Sequence, residues 1–230
     1  MNAGSAVLFD IDGTMLFARG VGRRSFSRAF VEVYGIEYPD IDGISFAGAT
    51  DSGVIRAMCA TCGVPNPPAK EEHFFLRLAR HLDDAMDELP PEVFPGVPEL
   101  LAALTEGGVA LGLVTGNLRS TAWSKLRHAG LDGYFTFGAY GDETPDRVEI
   151  TRLALRRLPA GSRCGVLVGD TPNDIEAAHV NGLRAVAVAT GWISAEKLAA
   201  AGADGVLADF SDTAASLALL RSLCEERTFK

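Results

Sequence analysis

No stretch of this 230-residue chain approaches the roughly 18 unbroken apolar residues of a membrane span, so no membrane partner is expected. Residues 1–5 lack the pattern of a secretory leader, and the apolar run behind them stops at Asp10 and Asp12. Cysteine is sparse: Cys59, Cys62, Cys164 and Cys224 do not make a disulfide framework. Cys59 and Cys62 form a CxxC, but no second CxxC or matching histidine pair follows. They read as two thiols on a helix rather than as a zinc or redox site. His73, His81, His128 and His179 lack ligand spacing and read as surface or packing residues. Positive charge is short as well: 21 Lys and Arg face 30 Asp and Glu, a formal charge of -9. That sign argues against nucleic acid as a partner, because phosphate backbones attract basic patches. It leaves room for a small phosphorylated metabolite met by a metal ion and local cations. No GxGxxG follows an apolar run, which excludes a dinucleotide-binding crevice, and repeats and low-complexity tracts are absent. The expected product is a soluble, cytoplasmic protein in a reducing compartment, with 47% hydrophobic residues to build its core.

What the chain does have is alternation. Ala6-Val7-Leu8-Phe9 is a short apolar run that ends on polar residues and glycine, the pattern of a buried parallel strand. Similar runs recur at 109–114, 164–168, 185–188 and 205–207. Helical patterns lie between them at 97–106, 120–129, 147–158, 173–180 and 195–201. Strands alternating with helices predict an α/β fold with a doubly wound parallel sheet, whose ligand sits beyond the carboxyl ends of the strands. Residues 16–95 break the alternation. Helical patterns at 24–34, 52–62 and 69–89 appear there without a convincing central strand, and Pro90, Pro91 and Pro95 close the segment. This predicts a core of 1–15 and 96–230 with an inserted helical cap domain at 16–95. A frayed tail is expected over 225–230.

The polar residues fall at strand ends. Asp10 and Asp12 end the first strand, Thr115-Gly116-Asn117 follows the second core strand, and Gly169-Asp170-Thr171-Pro172-Asn173-Asp174 follows another. In a parallel sheet these three ends open onto one edge. Carboxylates converging there repel one another unless a cation lies among them. Mg2+ suits such a set, with Asp10, Asp12, Asp170 and Asp174 as its candidate ligands or ligand supports. Asp10, nearest its strand end, is the candidate nucleophile toward phosphorus. Asp12 would protonate the leaving alcohol and later take a proton from water. Thr115, with the backbone N–H of Gly116 or Asn117, would hold the phosphoryl oxygens.

The stretch Phe9-Asp10-Ile11-Asp12-Gly13-Thr14 resembles the DxDGT signature of haloacid dehalogenase-like hydrolases. Leu113-Val114-Thr115-Gly116-Asn117 is similar to their second motif, and Gly169-Asp170-Thr171-Pro172-Asn173-Asp174 to their fourth, GDxxxD. The order agrees over nearly the whole chain, and the insertion resembles the C1-type cap of the phosphoglycolate phosphatase-like branch. The resemblance implies a Mg2+-dependent phosphatase acting through an aspartyl-phosphate, with phosphoglycolate, sugar phosphates and nucleotides as candidate substrates. One departure stands out. The family's third motif supplies a lysine, and no lysine lies between Lys125 and Lys197. Arg147, at the start of a helix in Thr144-Pro145-Asp146-Arg147, is the chosen replacement, with Arg152 and Arg156 as competitors. Arg19, Arg23, Arg24 and Arg28 are candidates to meet an anionic substrate, with Arg23 and Arg24 alternatively balancing Glu32 and Glu37. Gly48-Ala49-Thr50-Asp51 reads as a turn and helix N-cap facing the site.

Within the resemblance, Asp12 argues against a dehalogenase, because halide leaves without a proton. Asp12 and a cap with only Lys70 argue against a phosphonatase. A sugar phosphomutase of the β-phosphoglucomutase kind keeps the same core residues and is the alternative. A catalytically idle metal- or phosphate-binding module is the second alternative. The cap and the place of Asp10 on the first strand argue against a receiver domain.

Overall fold

The computed structural model describes residues 4–225 other than 38, 40–42 and 47. The chain enters on β1 (Ser5–Phe9) and passes a two-residue β2 (Leu16–Phe17). It then leaves the sheet layer for three helices, α1 (Val21–Tyr34), α2 (Asp51–Thr61) and α3 (Pro68–Glu88). It returns through β3 (Glu92–Val93) to α4 (Val97–Glu106), β4 (Ala110–Val114), α5 (Arg119–His128) and β5 (Phe137–Ala139). The remainder is α6 (Arg147–Arg156), β6 (Arg163–Gly169), α7 (Pro172–Val180), β7 (Arg184–Val188), α8 (Ala195–Ala200), β8 (Gly205–Leu207) and α9 (Thr213–Glu225).

Six strands pair in the order β5-β4-β1-β6-β7-β8, and every pairing is parallel. The order reverses at β1, which makes the doubly wound sheet and places a crevice at the carboxyl ends of β1, β4 and β6. Alternation along each strand feeds two cores. Val7, Phe9, Leu111, Leu113, Val166 and Val168 face α4, α5 and α9 through Leu101, Leu104, Leu126 and Leu220. On the other face Ala6, Leu8, Leu167, Ala185 and Ala187 meet Ile150, Ala154, Ile175, Ala178 and Leu198 of α6, α7 and α8. Alanines are frequent on that second face.

The helical insertion has its own apolar clusters. Phe26, Phe30, Val54, Ile55, Met58, Phe74 and Leu78 close one, and Val21, Leu82 and Met86 a smaller one. Leu118, from the loop after β4, also reaches into the larger cluster. The helical patterns at 24–34, 52–62 and 69–89 correspond to α1, α2 and α3.

Four elements differ from expectation. β2 and β3 pair antiparallel, Leu16 with Val93 and Phe17 with Glu92, in a ribbon where the insertion leaves and returns. Two-residue strands carry no periodicity to read. β5 is three residues long and includes Gly138, where a Cβ would lie 2.8 Å from that of Leu113, so glycine here reflects a close strand rather than a turn. α9 extends to Glu225, the first residue of the expected frayed tail; residues 226–230 lie outside the described set. Among the described residues, no helix is long and apolar enough to cross a membrane.

Candidate active site

The loop after β1 turns tightly. The carbonyl of Ile11 accepts from the N–H groups of Met15 at 2.9 Å and Leu16 at 3.2 Å, and Gly13 takes φ +79°. A Cβ at Gly13 would lie 2.3 Å from Asp170 Oδ2, so glycine is required for both conformation and space. Asp10 and Asp12, two residues apart, enter the same cavity, with Ile11 between them in the core. The Asp10 N–H donates to Val168 O at 2.9 Å, which locks the loop to β6.

Asp10, Asp170 and Asp174 are buried, and one carboxylate oxygen from each lies within 4.8 Å of the others. Asp170 extends from the end of β6 and accepts from Thr14 Oγ1 at 3.3 Å. Asp174 is held on the first turn of α7. Its Oδ2 accepts from the N–H and hydroxyl of Thr171 in a capping box, at 3.2 and 2.7 Å. Thr171 is thus the cap residue of α7, while Oδ1 of Asp174 is left to accept from Arg147.

Arg147 completes the cluster from the first turn of α6. Its guanidinium donates to Asp174 Oδ1 through Nε at 2.9 Å and Nη2 at 2.5 Å, and Nη2 lies 2.8 Å from Asp10 Oδ1. Burial pushes the Asp10 carboxyl up to about 6, opposed by the charge of Arg147 and reinforced by that of Asp174. Burial also pushes Asp170 up, to about 8, and the charges of Asp10 and Asp174 add to the rise. Burial acts to lower Arg147, but the two carboxylates outweigh it and hold the guanidinium charged above its usual range. One guanidinium among three buried carboxylates leaves an excess of negative charge. The donor set, oxygen only and compact, fits a hard divalent cation of the Mg2+ type.

Asp12 is not in that cluster. Its Oδ2 accepts from Lys125 Nζ at 2.6 Å and from Asn117 Nδ2 at 2.7 Å, so its side chain belongs to a neighbouring polar chain. Asn117 also donates to Thr115 Oγ1 at 2.7 Å and accepts from Lys125 at 2.6 Å. Lys125 is the residue that sequence reasoning passed over, since it only marked the edge of a lysine-free stretch. It lies on α5, three residues after Ala122 and directly before Leu126, both buried. That position on an apolar stripe was the available signal, because a lysine there must either snorkel or find partners.

Of the remaining candidates, Arg23 lines the cavity, whereas Arg19 pairs with Glu92 at 3.2 Å on the surface. Arg24 and Arg28 are exposed, and Arg152 and Arg156 lie on α6 beyond its first turn. Glu32 pairs with Arg77 and His81 on α3 rather than with the arginines of α1. Gly48, Ala49 and Asp51 line the cavity from the insertion side. Thr50 caps α2, and Gly48 O accepts from Asn173 Nδ2 at 3.0 Å. Ser52 Oγ donates to Gly141 O at 2.5 Å, and the Asp51 N–H to Gly116 O at 2.7 Å. The Asp51 carboxylate accepts from Leu118 N at 2.8 Å and Thr121 Oγ1 at 3.1 Å, capping α5 from outside, because Leu118 has no side-chain oxygen to do so. The cavity, partly open to solvent, measures about 620 Å³.

This sequence matches the family described as haloacid dehalogenase-like hydrolase over residues 7–188. It is 31% identical to a phosphoglycolate phosphatase of Synechococcus elongatus, over 90% of this chain and 94% of that one. It is 30% identical to a plasmid-borne phosphoglycolate phosphatase of Cupriavidus necator, over 88% of each. Among solved structures, CbbY from Rhodobacter sphaeroides in complex with phosphate superposes with a TM-score of 0.71. That pair shares 24% identity over 92% of this chain and 96% of the other.

Proposed function

The chain belongs to the haloacid dehalogenase-like hydrolases and is a phosphate-ester hydrolase of that family, and on this premise we propose that it works through a phospho-enzyme formed on Asp10. The observation that carries the reading is the meeting of Asp10, Asp170, Asp174 and Arg147 in one cavity, with Asp12 on the same loop. Asp10, Asp170 and Asp174 would hold Mg2+, which when bound neutralises charge on the carboxylates and on the phosphoryl oxygens.

The chain's own residues account for the rest. An Asp10 oxygen forms a bond to phosphorus as the bond from phosphorus to the alcohol oxygen breaks, and Asp12 gives the departing alcohol its proton. Water then bonds to phosphorus and passes a proton to Asp12, while the bond to Asp10 breaks and inorganic phosphate leaves. Arg147 fixes the Asp10 carboxylate and offsets its charge. Thr115 and the backbone N–H groups of Gly116 and Asn117 orient the transferring oxygens. Lys125 and Asn117 hold Asp12 by one oxygen, which keeps its carboxylate on the cavity wall. Residues 16–95 serve as the cap that excludes water during transfer.

Phosphate release from a panel of esters, with and without Mg2+, tests the reading, and 2-phosphoglycolate, the compound in two relatives' names, heads that panel. Release is expected to need Mg2+ and to fall by at least about a thousandfold in Asp10→Asn, the scale on which loss of a nucleophile is felt. Turnover by Asp10→Asn close to the parent's would rule out the covalent route. Transfer of the phosphoryl group to a sugar in preference to water would make the chain a mutase instead.

A further inference from the structure

Trp192 is 82% exposed, the most exposed large apolar side chain among the described residues. A tryptophan so placed contributes little to the core, and with the exposed Phe17 beside it forms a small apolar patch, the kind of surface that marks a binding site. It lies just past β7, on the wall of the cavity that holds Asp10. Its loop is fastened to the acid cluster. Thr190 Oγ1 donates to Gly13 O at 2.6 Å, and a Cβ at Gly191 would lie 1.9 Å from Asp170 Oδ2. Across a ring-centre distance of 6.5 Å, Trp192 meets Phe17 edge to face at 79°, and Phe17 is itself 41% exposed. Elsewhere on the wall Phe26 and Phe46 form a second edge-to-face pair at 5.3 Å, and the Arg23 guanidinium lies 5.8 Å from the Phe46 ring centre.

A cavity of about 620 Å³ is far larger than a phosphoryl group with a two-carbon alcohol requires. It falls within the roughly 300–1,000 Å³ typical of small-molecule sites, whose walls are mostly apolar and aromatic. A short, charged leaving group would leave Trp192 and Phe17 facing water. We infer that the alcohol part of the ester is a flat, largely apolar ring system, packed against Trp192 and Phe17 while its phosphate reaches Asp10. The inference rests on the hydrolase reading above and adds to it the chemical class of the leaving group.

The test compares three alkyl phosphates whose leaving alcohols differ in shape: 2-naphthylmethyl phosphate, ethyl phosphate and 2-phosphoglycolate. Naphthylmethyl and ethyl alcohols are of similar basicity, so a difference in kcat/KM between those two esters reports contact with the wall rather than chemical ease. The naphthylmethyl ester is expected to exceed the ethyl ester by at least about tenfold, as a well-placed aromatic contact implies. Trp192→Ala, a change at an exposed site, is expected to compress that ratio to within about threefold, mostly through KM, and Trp192→Phe to keep most of it. Release from all three compounds with a naphthylmethyl-to-ethyl ratio near one would overturn the inference and leave the hydrolase reading standing. So would a ratio in Trp192→Ala equal to the parent's. Release from none of them would overturn both.

Discussion

Arg147 and Asp51 show how a single buried charge is placed by its surroundings. Arg147 is the only cation bonded to the acid cluster among the described residues, with carboxylates on two sides. Removing it leaves those carboxylates without a protein counter-charge, a change that typically costs about 3–5 kcal/mol at a buried site. Arg147→Ala is therefore expected to melt well below the parent in metal-free buffer, to recover part of the loss in Mg2+, and to lose most of its turnover. Thermal melts and phosphate release check both, and an unaltered metal-free melt would separate Arg147 from the cluster's stability. Asp51 is buried against Leu118 and Thr121, and burial pushes its carboxyl up to about 6, with Lys125 and the bond from Leu118 opposing. A carboxyl raised on folding favours the protonated form, so its contribution is greatest below about pH 4 and is lost as pH climbs through about 6. Two pH units correspond to roughly 2–3 kcal/mol. Asp51→Asn, which does not titrate, is expected to lose less stability than the parent between pH 4 and pH 6, as urea melts at a series of pH values would report.

The strip 48–52 at the start of α2 illustrates an element held by what its neighbours lack. Gly116 has no Cβ, and one placed there would lie 2.2 Å from Ala49 O; at Gly141 it would lie 1.9 Å from Gly116 O. Backbone meets backbone at both places, so neither neighbour can yield cheaply. Gly116→Ala is expected to lift the strip and lower kcat/KM by on the order of tenfold to a hundredfold, the cost of misplacing a site by about an ångström. Steady-state kinetics on any accepted ester checks this, and parental kcat/KM would mean the strip does not govern closure. The contrast with α3 is instructive. That helix touches α5 through Asp83 to Ser124 and Arg127, and through Asp87 to His128, contacts near solvent that hold weakly.

The same scale explains what could be read in advance. Acids placed directly after apolar runs announced Asp10, Asp12, Asp170 and Asp174, because a polar residue at a buried strand's end has few structural reasons to be there. The main helices were legible from spacing, and Arg147 from its place on the first turn of one. Lys125 was not, since its partners Asp12 and Asn117 lie 113 and 8 residues away and only the fold unites them. The two-residue strands were too short to show a period, and α9 crowds Leu217, Leu219 and Leu220 without clear helical spacing.

Across the whole molecule, the sheet's carboxyl edge and the insertion between β2 and β3 line one cavity together. Asp10 and Asp170 are raised from an ordinary 3.8 to about 6 and about 8, burial being the larger cause in each. Raised carboxyls make the metal-free protein lose stability as pH rises through those values, whereas Mg2+ binds the ionised forms. The melting temperature is therefore expected to rise more on adding Mg2+ at pH 8 than at pH 5, which a thermal-shift series would show. A shift equal at both pH values would place the metal elsewhere. The β2–β3 ribbon carries a further consequence, for modularity. Leu16 faces Val93 and Phe17 faces Glu92, so the two chain ends that enter the insertion are already neighbours, about 5 Å apart as in any antiparallel pair. Replacing residues 18–91 with a two-residue turn would join them as an ordinary hairpin without disturbing the sheet. The insertion thus leaves and returns through one narrow stem, but any foreign segment grafted there would also have to cover Leu118 and replace the bonds that Asp51 and Ser52 make to Leu118 and Gly141.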